Sequence, residues 1–288
     1  MPRCIVFVVK LTIHGARGSN PVSGDRFRRY GGHTPCISLQ TASGLIILDA
    51  GTGISLLGEE LAKRPALPPI TILLTHVHLD HIQGLTAFEP LLQSGARITF
   101  MADSRVLGNW PKAVQTLMEK PFWPVSISGS KASIRYENLP AAEGRLNLYG
   151  IEISWESLHH PQGCTSYKLA CFDQTVVLAT DREPGLPSLD EAFKQFSRSA
   201  DILIHDAQFT PEEFPERVGW GHSTWETAVQ TALQAQAKTL VLTSHDPSRS
   251  DEEVDSIVEK AKRVFPNTLG AREGMVLDLE GTGAWLKK

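Results

Sequence analysis

The chain has few cysteines for its length, and none are spaced to work together. Cys4, Cys36, Cys164 and Cys171 form no Cys-x-x-Cys pair in 288 residues. That excludes a zinc ribbon, a thioredoxin-type centre and a disulfide-stapled scaffold, and the four read as buried, reduced thiols. Long apolar runs are missing too. Residues 4–9 are apolar, but the run is too short for a membrane span or a signal peptide and lacks a small-residue cleavage site. A cytoplasmic protein with no membrane partner is expected. Charge of one sign is not concentrated anywhere: 28 basic and 32 acidic residues leave a formal net charge of −4, with no block that would give a broad nucleic-acid footprint. The local triplet Arg26, Arg28 and Arg29 reads as a solvated turn. Neither repeats nor low-complexity linkers divide the chain, and an apolar content of 41 % can bury a sizeable core. Residues 1–288 are expected to form one α/β domain.

What the chain does have is a cluster of imidazoles. His76-Val77-His78-Leu79-Asp80-His81 follows the apolar run 70–74, which reads as a buried strand. Imidazole and carboxylate suit Zn²⁺, with Mn²⁺ and Fe²⁺ as competitors. In an extended segment alternate side chains share a side, so His76 and His78 can grip one ion. Asp80 and His81, where the chain turns, can reach a second. Three more apolar stretches end in ligand types: Ile151–Leu158 in His159-His160, residues 175–180 in Asp181, and residues 239–244 in His245-Asp246. Ligands at the carboxyl ends of several strands converge on one rim of a layered α/β structure.

The His-x-His-x-Asp-His motif resembles the hallmark of the metallo-β-lactamase superfamily of dinuclear metal hydrolases. The segments Leu203-Ile204-His205-Asp206-Ala207 and Gly221-His222-Ser223-Thr224 resemble the phosphodiesterase branch, which includes ribonuclease Z, the tRNA 3′-processing endonuclease. That enzyme has Glu-Ala-Thr where this chain has Asp206-Ala207-Gln208, so the carboxylate is kept but shortened by one methylene. The stretches 14–19 and 30–36 are similar to a subgroup of small bacterial and phage members that includes cyclic-nucleotide phosphodiesterases. The resemblance implies an αβ/βα sandwich, in which two mixed sheets face each other with helices outside. It also implies two Zn²⁺ ions (or Mn²⁺ or Fe²⁺). His76, His78 and His160 would hold the first, Asp80, His81 and His245 the second, and Asp181 would bridge them. His160 is preferred to His159 because the family ligand directly precedes Pro-x-Gly, here Pro161-Gln162-Gly163. Relatives in this branch are commonly homodimers, which implies one here.

Metal-bound histidine usually passes its other ring N–H to a carboxylate or carbonyl, so Asp49, Asp206 and Asp246 are candidates for that role. Asp49-Ala50-Gly51 is read equally well as a strand-to-helix turn that needs glycine. Asp80, His222 and Asp206 are the catalytic candidates: a water activated between two cations attacks, and His222, oriented by Asp206, protonates the leaving oxygen. Capping boxes are expected at Ser188 with Glu191, Ser223 with Glu226, and Ser250 with Glu253. Trp110, Trp123 and Trp220 fit core packing or a contact surface. The leading expectation is a hydrolase of small phosphodiesters such as nucleoside cyclic phosphates. The alternatives are tRNA 3′ processing, a non-catalytic ligand carrier on the same fold and, as a minor reading, acyl hydrolysis.

Overall fold

The structure, a computed structural model, describes residues 9–141 and 144–279; the reading of Cys4 lies outside them. Strand-forming runs of leucine and β-branched residues build two seven-stranded sheets. The first contains β1 (Val9–Gly15), β2 (Cys36–Gln40), β3 (Leu45–Leu48), β4 (Ile70–Leu73), β5 (Arg97–Ala102), β6 (Ser133–Asn138) and β14 (Met275–Leu279), in the order 14-1-2-3-4-5-6. The second contains β7 (Arg145–Leu148), β8 (Ile151–Leu158), β9 (Cys164–Cys171), β10 (Gln174–Ala179), β11 (Ile202–Asp206), β12 (Thr239–Thr243) and β13 (Thr268–Gly270), in the order 13-12-11-10-9-8-7. Each sheet is antiparallel at one end and parallel at the other, changing at β3 in the first and at β10 in the second. The expected mixed sheets are present.

Strand alternation explains why these runs are apolar throughout. Ile46 and Leu48 of β3 enter the core between the sheets, with Val176 and Leu178 of β10 and Ile204 of β11. Their neighbours Leu45 and Ile47 face a second core, roofed by α1 (Ile54–Ala62) and α4 (Trp110–Leu117). Val177, Leu203, Leu240 and Leu242 face a third, under α5 (Pro187–Phe196), α6 (Trp225–Ala235) and α7 (Asp251–Val264). A strand buried on both faces has no polar side to show, and the result is helix, sheet, sheet, helix. No helix among the described residues is long and apolar enough to cross a membrane.

Helix starts differ from the sequence expectation at two of three positions. Ser250 and Glu253 form the reciprocal capping box of α7. At α6 the cap is Thr224, whose hydroxyl accepts from Thr227 N, so Ser223 lies one residue outside the helix. Its hydroxyl instead donates to Arg182 O. At α5 the chain enters through Leu186, and Pro187 fills the first turn, where its missing N–H costs nothing. Arg26, Arg28 and Arg29 pair with Glu253, Asp25 and the acids of α7, as a solvated turn should. Trp110 is core, with Nε1 donating to Asn138, and Trp123 packs on the second core; Trp220 is exposed. Ser250→Ala should lower the unfolding free energy by about 1 kcal/mol in a urea titration, whereas Ser188→Ala should leave the midpoint unchanged.

Candidate metal centre

Four strands and one loop deliver polar side chains to one rim between the sheets. After β4 the chain runs extended through Thr75 and His76, and His78 leads into the single turn α2 (Leu79–Ile82), which carries Asp80 and His81. His160 follows β8, Asp181 follows β10, Asp206 ends β11, and His222 stands on the loop before α6. Three groups of ligand atoms result among the described residues. His76, His78, His160 and Asp181 form one, Asp80, His81 and Asp181 a second, and Asp181, Asp206 and His222 a third, and within each the donor atoms lie within 4.8 Å of one another. Asp181 belongs to all three. Its Oδ2 is 3.5 Å from His76 Nε2 and 3.7 Å from His160 Nε2, while its Oδ1 is 3.3 Å from His81 Nε2. His222 Nε2 approaches the same Oδ2 at 3.9 Å.

The rear nitrogens of four of these rings, those of His76, His81, His160 and His222, are engaged. His81 Nδ1 donates to Asp49 Oδ2 at 2.8 Å, and Asp49 also accepts from the Thr75 amide and hydroxyl. Asp49 therefore orients a ring as well as starting a turn. His76 Nδ1 lies 3.0 Å from Thr75 Oγ1, and His160 Nδ1 donates to Gly221 O at 2.8 Å. His222 Nδ1 donates to Asp206 Oδ2 at 2.8 Å. The ring of Phe209 meets that of His222 edge-on. The shorter Asp206 thus still reaches its imidazole. Gln208 donates to Ser19 Oγ, and the Ser19 amide donates to Asp80 Oδ2 at 2.9 Å.

His245 is the one residue of the expected ligand set that the structure does not bring to the cluster. Its Nε2 donates to Ala271 O at 2.9 Å and its ring packs edge-on against Tyr30. Asp246 does not reach a histidine either: its carboxylate closes a turn on Ser248, and its carbonyl accepts from Arg17. His159, half-buried, meets Glu183 O.

The electrostatics describe a site short of positive charge. Burial of His76 holds it well below the ordinary imidazole value, and burial brings His160 down to about 4. Burial also works against a proton on His81, but Asp181, Asp80 and Asp49 outweigh it and push His81 well up. These carboxylates thus favour a proton on His81, which does part of a cation's work. His76 Nε2, His81 Nε2 and Asp181 Oδ1 are buried without a hydrogen-bond partner. Orphaned buried donors and acceptors are costly, and an ion among them would satisfy all three. The residues fit a divalent metal.

Residues 45–245 match the model of the β-lactamase superfamily domain. The chain belongs to that superfamily. It is similar to ribonuclease Z of Archaeoglobus fulgidus, 40 % identical over 85 residues, which are 30 % of this chain and 28 % of that protein; the match therefore spans little more than a quarter of the relative. Its fold is that of the metallo-β-lactamase fold protein YhfI from Bacillus subtilis, with 20 % identity and a TM-score of 0.70 over 94 % of this chain and 99 % of that one. It is also that of a diphosphatase of the PhnP family, with 19 % identity and a TM-score of 0.67 over 97 % and 100 %.

Ser19, Thr75, Gln208 and the Gly221 carbonyl escaped the sequence reading. Only Thr75, wedged between an apolar strand and the first histidine, carried a local signal. Asp49→Asn should weaken binding of Zn²⁺ roughly 10–100-fold, the usual cost of losing a group that orients a ligand. Competition with a chromogenic chelator reads this directly, and unchanged affinity would assign Asp49 to the turn alone.

Proposed function

We propose that the chain is a two-metal phosphodiesterase acting on small phosphodiesters, nucleoside cyclic phosphates among them. In this reading His76, His78, His160 and Asp181 would hold one ion, and Asp80, His81 and Asp181 would hold the other. Zn²⁺ is the expected metal; the all-oxygen-and-nitrogen donor set also accepts Mn²⁺ or Fe²⁺. Bound together, such ions supply a nucleophilic water at neutral pH and offset charge on the phosphate oxygens.

The observation that carries the reading is the His222–Asp206 pair beside Asp181. When water adds to phosphorus, the bond to the leaving oxygen breaks and that oxygen needs a proton. Burial opposes charge on His222, but Asp206 and Asp181 outweigh it and raise its pKa to about 9. Its Nε2 therefore holds a proton at neutral pH, and Asp206 on Nδ1 fixes which nitrogen faces the rim. A good acyl leaving group would need no such donor. The similarity to ribonuclease Z favours a second reading, tRNA 3′ processing, by the same pair. The proposal extends to a homodimer, for which the exposed Leu92, Phe122 and Val125 offer apolar contact surface; light scattering at micromolar concentration checks it.

Elemental analysis after reconstitution should give close to two transition-metal ions per chain. Asp181→Ala should lower occupancy and activity together, and a reconstituted protein holding no metal would end this reading. His222→Ala should keep its metal and lose roughly 10²–10⁴-fold in rate on cyclic nucleotides, the span of general-acid catalysis. On bis-p-nitrophenyl phosphate, whose leaving group needs little protonation, the loss should be far smaller. Equal loss on both would remove His222 from the proton-donor role. Turnover of a pre-tRNA in preference to every cyclic nucleotide would favour the second reading.

A further inference from the structure

The loop Arg217–Gly221 carries an aromatic ring that the fold does not use. Trp220 is 58 % exposed, although tryptophan has more to gain from burial than any other side chain. The half-buried Arg217 lies over its ring, 4.6 Å from guanidinium carbon to ring centroid, and has no carboxylate partner among the described residues. One face of the indole is therefore covered by a cation that nothing else engages.

Several bonds fix this loop. Glu183, 3 % exposed, points its carboxylate at the backbone: it accepts from Gly219 N at 2.8 Å and from Gly221 N at 2.6 Å. Trp220 N donates to Arg217 O at 3.1 Å. Gly219 and Gly221 have φ of +86° and +87°, which lets the chain bring both amides to one carboxylate. A Cβ on Gly221 would come within 2.1 Å of His160 Nδ1, so the backbone next to Trp220 lies directly against a metal-ligand candidate. The residue after Gly221 is His222. The indole is thus held one residue from the carbonyl that orients His160 and two from the proton donor.

We propose that Trp220 and Arg217 form a stacking platform for the nucleobase of the substrate, so that the diester hydrolysed at this rim is a nucleotide. The inference rests on the phosphodiesterase reading and names its substrate class. A planar base is the group such a pair recognises: it stacks on an aromatic ring and meets a cation at its face. Stacking tolerates every base, because each has a π-face. The platform therefore predicts weak discrimination among bases. Glu183 is a positioning residue that keeps the platform and His222 in one frame.

The test uses the metal-loaded full chain with Trp220→Ala, Trp220→Phe and Arg217→Ala. Substrates are 3′,5′-cyclic nucleotides of adenine, guanine, cytosine and uracil, and methyl p-nitrophenyl phosphate, which has no base. Trp220→Ala should raise KM about tenfold or more for all four nucleotides, the scale of one lost base stack, with kcat changed less than about twofold. Trp220→Phe should recover most of the loss, and the effect on the base-free diester should stay within about twofold. Unchanged KM on nucleotides, or equal loss on the base-free diester, overturns the platform while leaving the phosphodiesterase reading intact. If the wild type hydrolyses none of the nucleotides, the activity reading fails, and the platform is then decided by fluorescence. AMP and UMP should quench an emission component that is absent from Trp220→Phe; no such difference would remove the platform as well.

Discussion

One carboxylate at the end of one strand holds the centre together. Asp181 turns one oxygen to His76 and His160 and the other to His81, so the two groups of donors share a member and cannot be positioned independently. Everything around it serves that sharing. β10, which ends two residues before Asp181, is flanked by β9 and β11, and β4 brings its own run of ligands from the facing sheet. The cores between and outside the sheets fix these strand ends. The rim itself is polar, and it stays aligned because the apolar layers below it are close-packed and do not yield.

The second tier of the site is almost as ordered as the first. Asp49, Thr75, Gly221, Asp206 and Ser19 each occupy the far side of a ligand or of its neighbour, and all five act through the backbone or accept from it. Such contacts decide which ring nitrogen is presented, and hence whether an imidazole is a donor or a lone pair at the rim. The loops that supply them come from distant parts of the chain. Ser19 and Gln208, for example, meet only because Arg17 and His245 pair as a short parallel bridge.

Much of this was legible in the sequence. The runs at β4, β10 and β12 announced themselves because a strand buried on both faces is apolar throughout, and a ligand-type residue follows the end of each. His76, His78, Asp80 and His81 could be named from type and spacing, whereas the choice of His160 over His159 and the bridging place of Asp181 came from the family resemblance. What could not be read were contacts that depend on which way a side chain turns after the chain leaves its strand. His245 stands at the end of β12 just as Asp181 follows β10, yet the Ala271 carbonyl takes its Nε2. Nothing in the local sequence announces that competition. Ser223 and Thr224 are both good caps, and only the packing of Ser223 on Arg182 O decides between them. The position of Glu183 against two backbone amides is likewise a property of the folded loop.

β11 joins a residue of the rim to a residue of the helix layer. Its last two residues, His205 and Asp206, point to opposite faces, as neighbours on a strand must. His205 lies in the helix layer, its ring beside Phe193 and its pKa brought down to about 3 by burial, while Asp206 faces the rim and holds His222. The two differ only in parity. Sliding β11 by a single residue against β10 and β12 would exchange an acceptor for an imidazole at the rim and carry a carboxylate into an apolar layer. Single-residue insertions or deletions in this strand are therefore intolerable for activity and stability alike. Length variation among relatives has to be absorbed in the loops on either side.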